Sequence, residues 1–164
     1  MPRHAKKASH ARARKAPKYD FTSTTIGWEP LPTQLKIVFI FSALGLVISL
    51  FSIRTIVASG INLFGLQLVG SSAAIATIVL GWVGLGLLLY GMWYRESWTW
   101  QYGIGYFGLI IVLNRILAIP SAAAQSGAVG AAYTGWVFGI LVNIALAYFI
   151  YKNKDYFGGR SFRF

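Results

Sequence analysis

Four long apolar runs make up most of the chain, and polar or glycine-rich segments separate them. The runs cover residues 34–53, 73–94, 100–119 and 131–151. Each is close to the length of about 20 residues that an α-helix needs to cross the hydrocarbon core of a bilayer. None of the four acidic residues falls within a run. The pattern predicts an all-α membrane protein, a four-transmembrane-helix bundle with short loops.

A compact aromatic turn joins the second run to the third. Residues 90–102 read YGMWYRESWTWQY, with Arg95-Glu96-Ser97 at the centre. Tryptophan and tyrosine gather at membrane surfaces, because one end of the ring is apolar and the other can be hydrated. We expect a helical hairpin whose tip lies at the membrane surface, with Arg95 and Glu96 as a solvated charge pair. The predicted interfacial anchors are Trp93, Trp98 and Trp100.

The connection between the first two runs, residues 55–72, is harder to interpret. It is fairly apolar but is interrupted by Gly60, Gly65 and Gly70. It could lengthen the first two helices, or lie along the interface as a short amphipathic piece. We favour a surface loop with partial helicity.

The N-terminal 19 residues form a basic tail without an acid and without Leu, Ile, Val or Phe. Such a segment cannot bury an apolar face, so we expect it to be disordered when alone. With the approach to the first helix it makes up residues 1–33, and a short basic tail of residues 152–164 closes the chain. We expect the N-terminal tail to have one of three roles. It enforces the topology, it docks on anionic lipid headgroups, or it contacts a partner subunit; nucleic acid is the least favoured partner. Its basic residues are Arg3, Lys6, Lys7, Arg12, Arg14, Lys15 and Lys18.

The distribution of Lys and Arg predicts the orientation. With four spans, both tails share one side with the Arg95 turn, and that side carries 13 of the 15 basic residues. The opposite side has Arg54 and Arg115. Because cytoplasmic segments are enriched in Lys and Arg, both termini are predicted to be cytoplasmic, in the cell membrane of a prokaryote.

Small residues recur on one face of the first and fourth predicted helices. In lipid, such faces permit close approach of helix backbones. Gly135 and Gly139 form a GxxxG pair, a spacing typical of helix contacts. The residues predicted to pack helices are Ser42, Gly45, Ser49, Gly135, Gly139 and Asn143.

Two stretches resemble known membrane proteins of unassigned activity. GLGLLLYGMWYRESWTWQYGIGYFGLIIVL resembles the hairpin of uncharacterised four-helix integral membrane protein families, common in archaea and also found in bacteria, that reads GLW, a basic turn and WAW. NIALAYFIYKNKDYFGG resembles their last helix and its YF-containing ending. The likeness covers roughly residues 32–158. It implies four spans with short loops and carries no activity.

Three polar residues inside the predicted spans are the places to look for chemistry, because polar groups in a membrane are costly. Arg115 could snorkel to the nearer interface, or turn inward and bind an anionic group or partner carbonyls. Asn114 and Asn143 could form an interhelical hydrogen bond if their helices are suitably offset. A solute or ion site built on them is the alternative.

Composition excludes several kinds of site. The chain has no cysteine, and both histidines, His4 and His10, lie in the N-terminal tail. No Ser-His-Asp set, carboxylate pair or metal cluster can be assembled. We expect no cofactor and a non-enzymatic structural or accessory role, as a subunit of a larger membrane assembly or a homo-oligomer. The alternative is a small transporter or channel with a polar path near Asn114, Arg115 and Asn143.

Overall fold

A computed structural model describes residues 26–118 and 129–157, with side chains of the second range from residue 134 onward. The described chain is mostly helical, as predicted, and has four helices long and apolar enough to span a membrane. They are α1 (Thr33–Ser59), α2 (Gly70–Tyr94), α3 (Thr99–Ala118) and α4 (Val129–Lys152). A short 3₁₀ turn, Lys154–Phe157, follows α4.

The four helices form a ring of contacts. Helix α2 packs on α1 and α3, and α4 packs on α3 and α1. Short connections make successive helices antiparallel neighbours. One end of the bundle, called here the turn end, holds the Arg95 turn between α2 and α3. The opposite end, called the hairpin end, holds the connection between α1 and α2.

Helix α1 is longer than the sequence predicted. We expected it to stop near Ile53, because Arg54 ends the apolar run. It continues to Ser59, where Gly60 (φ 79°) ends it by donating its N–H to the carbonyl of Ile56 at 2.8 Å. A charged residue changes hydropathy but does not break the backbone hydrogen-bond ladder, so α1 continues past the apolar run.

The connection after α1 is a β-hairpin, which the sequence did not predict. Because α1 extends to Ser59 and α2 begins at Gly70, residues 55–72 are partly helical, as favoured, but their centre forms two strands and not a loop. Strands β1 (Ile61–Leu63) and β2 (Leu66–Leu68) pair antiparallel. Phe64 and Gly65 both have positive φ, 50° and 85°, as a two-residue type I′ turn requires. Each strand has only three residues. The alternation of apolar and polar positions is therefore too short to distinguish a strand from an apolar loop in the sequence.

The turn end is the tightly packed part of the bundle. Its apolar core combines residues from the helices with the 3₁₀ turn, and its fully buried members are Leu35, Val38, Leu88, Met92, Ile150, Tyr156 and Phe157. Arg95 caps α2 in a left-handed conformation (φ 59°) and is 7% exposed. Its guanidinium carbon lies 4.6 Å above the centre of the Tyr156 ring. The expected solvated pair of Arg95 and Glu96 is therefore wrong for Arg95, because the C-terminal 3₁₀ turn covers it.

Two further contacts fasten the turn end. The backbone N–H of Gly27 donates to the carbonyl of Trp93 at 3.1 Å, which holds the approach segment against the end of α2. The amide of Asn153 donates to the Gln34 side chain and to the Phe149 carbonyl, both at 2.8 Å. The start of α1 is thereby tied to the end of α4.

Helices α2 and α3 each contain a wider, π-helical stretch, Thr77–Val83 and Ile104–Ile111. Tyr106 in α3 donates its hydroxyl to the carbonyl of Leu80 at 2.6 Å, and Tyr102 donates to the carbonyl of Gly84 at 3.0 Å. π-Helical stretches are frequent near functional sites. Here the two hydroxyls bind backbone acceptors in and just after the π-stretch of α2.

Some predictions lie outside the described residues. These are the basic tail, the end of the third span at residue 119, the loop that follows it to residue 128, and the last seven residues of the C-terminal tail.

Candidate functional site

Asn114 and Arg115 are neighbours in the sequence of α3, but their side chains contact different parts of the molecule. The Asn114 side-chain oxygen accepts a hydrogen bond of 2.6 Å from the backbone N–H of Phe64, so it holds the tip of the β-hairpin. Arg115 is the next residue, about 100° round the helix, and faces α4. Asn143 does not pair with Asn114, because its amide donates to the carbonyl of Gly139 at 2.6 Å.

Arg115 lies directly across from Gly139 of α4. A Cβ atom built on Gly139 would lie 2.5 Å from Nη1 and 2.7 Å from Cζ of Arg115. Nearer the turn end, the corresponding α3–α4 contacts are Gly103 with Ile150 and Gly108 with Ala147. Helices α3 and α4 are antiparallel, so a contact that lies further along α3 lies correspondingly earlier along α4, and the contacts above follow this register within about two residues. The guanidinium is therefore near the level of its own Cα, which favours the inward orientation over snorkelling.

The glycine at 139 is what makes this arrangement possible. Any side chain there would occupy the place of the guanidinium. Its carbonyl also receives the Asn143 amide, so Gly139 is the meeting point of the two polar side chains on α3 and α4. GxxxG spacing led us to expect a backbone contact, whereas the structure places a charged side chain against this glycine.

Arg115 and Asn143 line a cavity of about 460 Å³, called here the Arg115 cleft. The other lining residues are mostly apolar or aromatic. Phe41 of α1 and Phe138 of α4 are 51% and 68% exposed, so the cleft opens sideways between these two helices. The full lining is Phe41, Gly45, Leu85, Tyr106, Phe107, Ile111, Arg115, Gly135, Phe138, Gly139, Val142, Asn143 and Leu146.

The cleft ends before the turn end of the bundle. Leu85, Phe107 and Leu146 line it and are themselves at most 9% exposed. Leu88 and Ile150, one helical turn closer to the turn end, are fully buried. The cleft is thus a pocket with an apolar floor and not a passage through the described bundle.

The remaining predicted packing residues have different surroundings. Ser42 is buried and donates its hydroxyl to the carbonyl of Val38 at 2.8 Å. A Cβ on Gly45 would meet Leu85 at 3.3 Å, and one on Gly81 would meet the Ser49 hydroxyl at 3.5 Å, so this face of α1 looks at α2. A Cβ on Gly135 would meet nothing within 4 Å.

The predicted anchors all lie at the turn end. Trp93 is 38% exposed, and its ring centre lies 5.9 Å from that of Phe39. Trp98 and Trp100 are partly buried, and Trp100 packs against the core. The basic tail residues from Arg3 to Lys18 lie outside the described part of the chain, so their contacts with lipid or a partner stay predictions.

Sequence reasoning missed Tyr106 and the phenylalanines of the cleft. Tyr106 is 4% exposed and lines the cleft, and its hydroxyl bond to Leu80 fixes the ring. A signal was present, since a tyrosine inside an apolar span needs a partner for its hydroxyl. Phe41 and Phe138 gave none, because each is one of many apolar residues on its helix.

The charges around the cleft are one-sided. No Asp or Glu occurs in the sequence between Glu96 and Asp155, so no acid of the spans can neutralise Arg115. The described acids, Glu29, Glu96 and Asp155, all lie at the turn end. Within residues 26–118 and 129–157, no group of three His, Cys, Asp or Glu side chains is placed to hold a metal ion.

No protein-family model matches the sequence, and neither curated proteins nor solved structures give a match. The likeness to four-helix membrane families therefore depends only on the two stretches quoted for it.

Proposed function

We propose that the chain is a multi-pass integral membrane protein with a non-enzymatic, accessory role in a larger assembly. Apolar side chains cover its outer surface at high exposure, including Phe51 at 84% and Leu109 at 64%. Such a surface suits hydrocarbon and not water. The distribution of basic residues supports placing both termini, and the turn end, on the cytoplasmic side of a prokaryotic cell membrane.

The closed turn end carries the proposal of an accessory role. A channel or transporter needs a polar path from one face to the other. In the described bundle, apolar residues that are fully buried, such as Leu88 and Ile150, block the way from the Arg115 cleft to the turn end. Asn114, which such a path would use, instead binds the β-hairpin backbone.

The outward face of α4 is the proposed contact surface for a partner helix. Thr134, Val137, Phe138 and Leu141 line a shallow groove of about 380 Å³ there. Their spacing of i, i+3, i+4 and i+7 puts them on one helix face, which is the pattern that receives the side chains of a neighbouring helix.

Site-specific crosslinking in native membranes tests this role. A photoreactive amino acid at Leu141, which lines the groove but not the Arg115 cleft and is 59% exposed, should give one discrete adduct, either with a partner protein or with a second copy of the chain. The same amino acid at Phe51, which is 84% exposed on α1, is the matched control and should react only with lipid. Adducts with lipid alone at both positions would overturn the proposal.

A small transporter or channel is the second candidate, and the presence of Arg115 and Asn143 in one cavity favours it. Purified protein in sealed vesicles then ought to conduct small anions, and Arg115→Gln ought to reduce that flux. The accessory role predicts no flux above that of empty vesicles.

A further inference from the structure

We propose that the Arg115 cleft binds an anionic amphiphile from the bilayer, with its acid group on Arg115 and one hydrocarbon chain along the cleft wall. The proposal relies on the membrane placement given above but not on the existence of a partner protein.

The charge of Arg115 calls for an anion from outside the spans. A guanidinium at membrane depth is costly unless an anion or several acceptors accompany it. The sequence offers no carboxylate between residues 97 and 154, and the other hydrogen-bonding side chains that line the cleft, Tyr106 and Asn143, donate to the carbonyls of Leu80 and Gly139. A guanidinium has five N–H donors in a planar fork, which match a phosphate or a carboxylate.

The depth of Arg115 suits a lipid headgroup. Its neighbour on α3, Asn114, accepts the hydrogen bond from Phe64 in the β-hairpin turn, and a Cβ built on Gly65 of that turn would lie 3.2 Å from the carbonyl oxygen of Leu117. Arg115 is therefore level with the turn of the β-hairpin, at the hairpin end of the bundle. In a bilayer that the apolar helices cross, this end is where acyl chains meet their headgroups.

The wall of the cleft suits a hydrocarbon chain. Below Arg115, the cleft is lined by rings and aliphatic side chains such as Phe107, Val142 and Leu146. Its volume of about 460 Å³ is within the range of about 300–1,000 Å³ that is usual for sites of small apolar ligands. The lateral opening between Phe41 and Phe138 would admit the chain from the bilayer.

Both parts of the ligand are needed to satisfy the cleft. A free inorganic anion would compensate the charge of the guanidinium but would leave the apolar part of the cleft empty. A lipid without net charge would fill the wall but supply less electrostatic compensation. An acid group joined to a long hydrocarbon chain does both, and bilayer phospholipids with net negative charge are the source that we infer.

Lipid retention measured by native mass spectrometry tests this proposal. The full chain is placed in nanodiscs of phosphatidylcholine with a minority of phosphatidylglycerol, then released and its bound lipids are counted. Phosphatidylglycerol should be enriched on the wild type, and Arg115→Gln should lower that enrichment about tenfold, as loss of a charge-assisted hydrogen bond allows. Arg54→Gln, which removes an exposed arginine near the same end, is the control and should change little.

A second variant tests the contribution of the cleft volume separately from that of the Arg115 charge. Gly135→Leu places a side chain in the cleft while Arg115 and Gly139 are kept, and a Cβ there meets nothing within 4 Å, so folding should be kept. Retention of phosphatidylglycerol should fall. Gly105→Leu on α3 is the matched control, since its Cβ also meets nothing within 4 Å and Gly105 does not line the cleft.

Three outcomes would overturn the inference: equal retention by wild type and Arg115→Gln, no effect of Gly135→Leu, or displacement of phosphatidylglycerol by inorganic phosphate at equal concentration. Displacement by oleate, which shares the acid group and the chain, would support it. Failure of the wild type to enter nanodiscs would count against the proposed membrane placement instead.

Discussion

The two halves of the bundle contain the same kinds of residues but pack them differently. At the turn end, the last turns of α2 and α4, the start of α1 and the 3₁₀ turn close over a core in which Met92, Tyr156 and Phe157 are fully buried. Toward the hairpin end, α1 and α4 leave the Arg115 cleft open between them. Within the described residues, the 3₁₀ turn and the approach segment pack on the turn end, whereas the β-hairpin at the opposite end contacts α3 and contributes no lining residue to the cleft.

The largest expected contrast comes from removing one phenylalanine at each end. Phe157→Ala should lower the free energy of unfolding by about 3–5 kcal/mol, because the buried ring leaves a cavity. Phe138→Ala removes a ring that is 68% exposed and should cost less than about 1 kcal/mol. Unfolding in mixed detergent micelles measures both. Equal losses would mean that the turn end is not the more tightly packed half.

The next contrast uses two glycines of α2. A Cβ at Gly91 would collide with the hydroxyl, Cγ2 and Cβ of the fully buried Thr99, whereas a Cβ at Gly86 meets nothing within 4 Å. Gly91→Ala should cost about 1–3 kcal/mol through overpacking. Gly86→Ala should be neutral or stabilising by up to about 1 kcal/mol, because alanine favours helix. The same unfolding titration decides, and a neutral Gly91→Ala would contradict the close packing of α2 on α3.

A smaller effect is expected where the cleft meets its floor. Tyr106→Phe removes the hydroxyl that bonds to the Leu80 carbonyl at 2.6 Å. Interhelical hydrogen bonds in membrane proteins average about 0.6 kcal/mol, so the unfolding free energy should fall by roughly that amount. A loss above about 2 kcal/mol would show that the hydroxyl supports more of the π-helical geometry than one bond.

Gly139→Ala is expected to have the smallest effect on stability but a clear effect on lipid binding. Alanine there displaces only the flexible end of Arg115, so the unfolding free energy should change by less than about 1 kcal/mol. The displaced guanidinium should nevertheless weaken retention of phosphatidylglycerol, and Gly135→Ala should leave retention largely intact. Equal behaviour of the two glycines in the lipid assay would contradict the contact between Arg115 and Gly139.

The apolar runs predicted the four helices well because backbone groups in lipid must be bonded within the helix, so long apolar stretches have few alternatives. The same logic failed after Arg54, where the chain leaves the apolar run and local backbone geometry decides. Phe64 and Gly65 form the hairpin turn because both adopt positive φ. The flanking strands are too short to indicate this turn in the sequence.

The site was predictable as a set of residue types but not as an arrangement. Arg115 and Asn143 were identified because they are polar residues in apolar spans. Their roles depend on which helix lies opposite, and that is a property of tertiary packing. Gly135 and Gly139 look equivalent in a GxxxG pair, yet one faces an open cleft and the other lies under a guanidinium.

The central claim is that the cleft is open to lipid and closed toward the turn end. The chain has no cysteine, so a single nitroxide can be attached through Val142→Cys, which lines the cleft near mid-depth. In reconstituted bilayers, collision of the label with oxygen, which concentrates in lipid, should exceed collision with a water-soluble nickel chelate. A nickel collision rate above the oxygen rate would reveal a water-filled path and contradict the account.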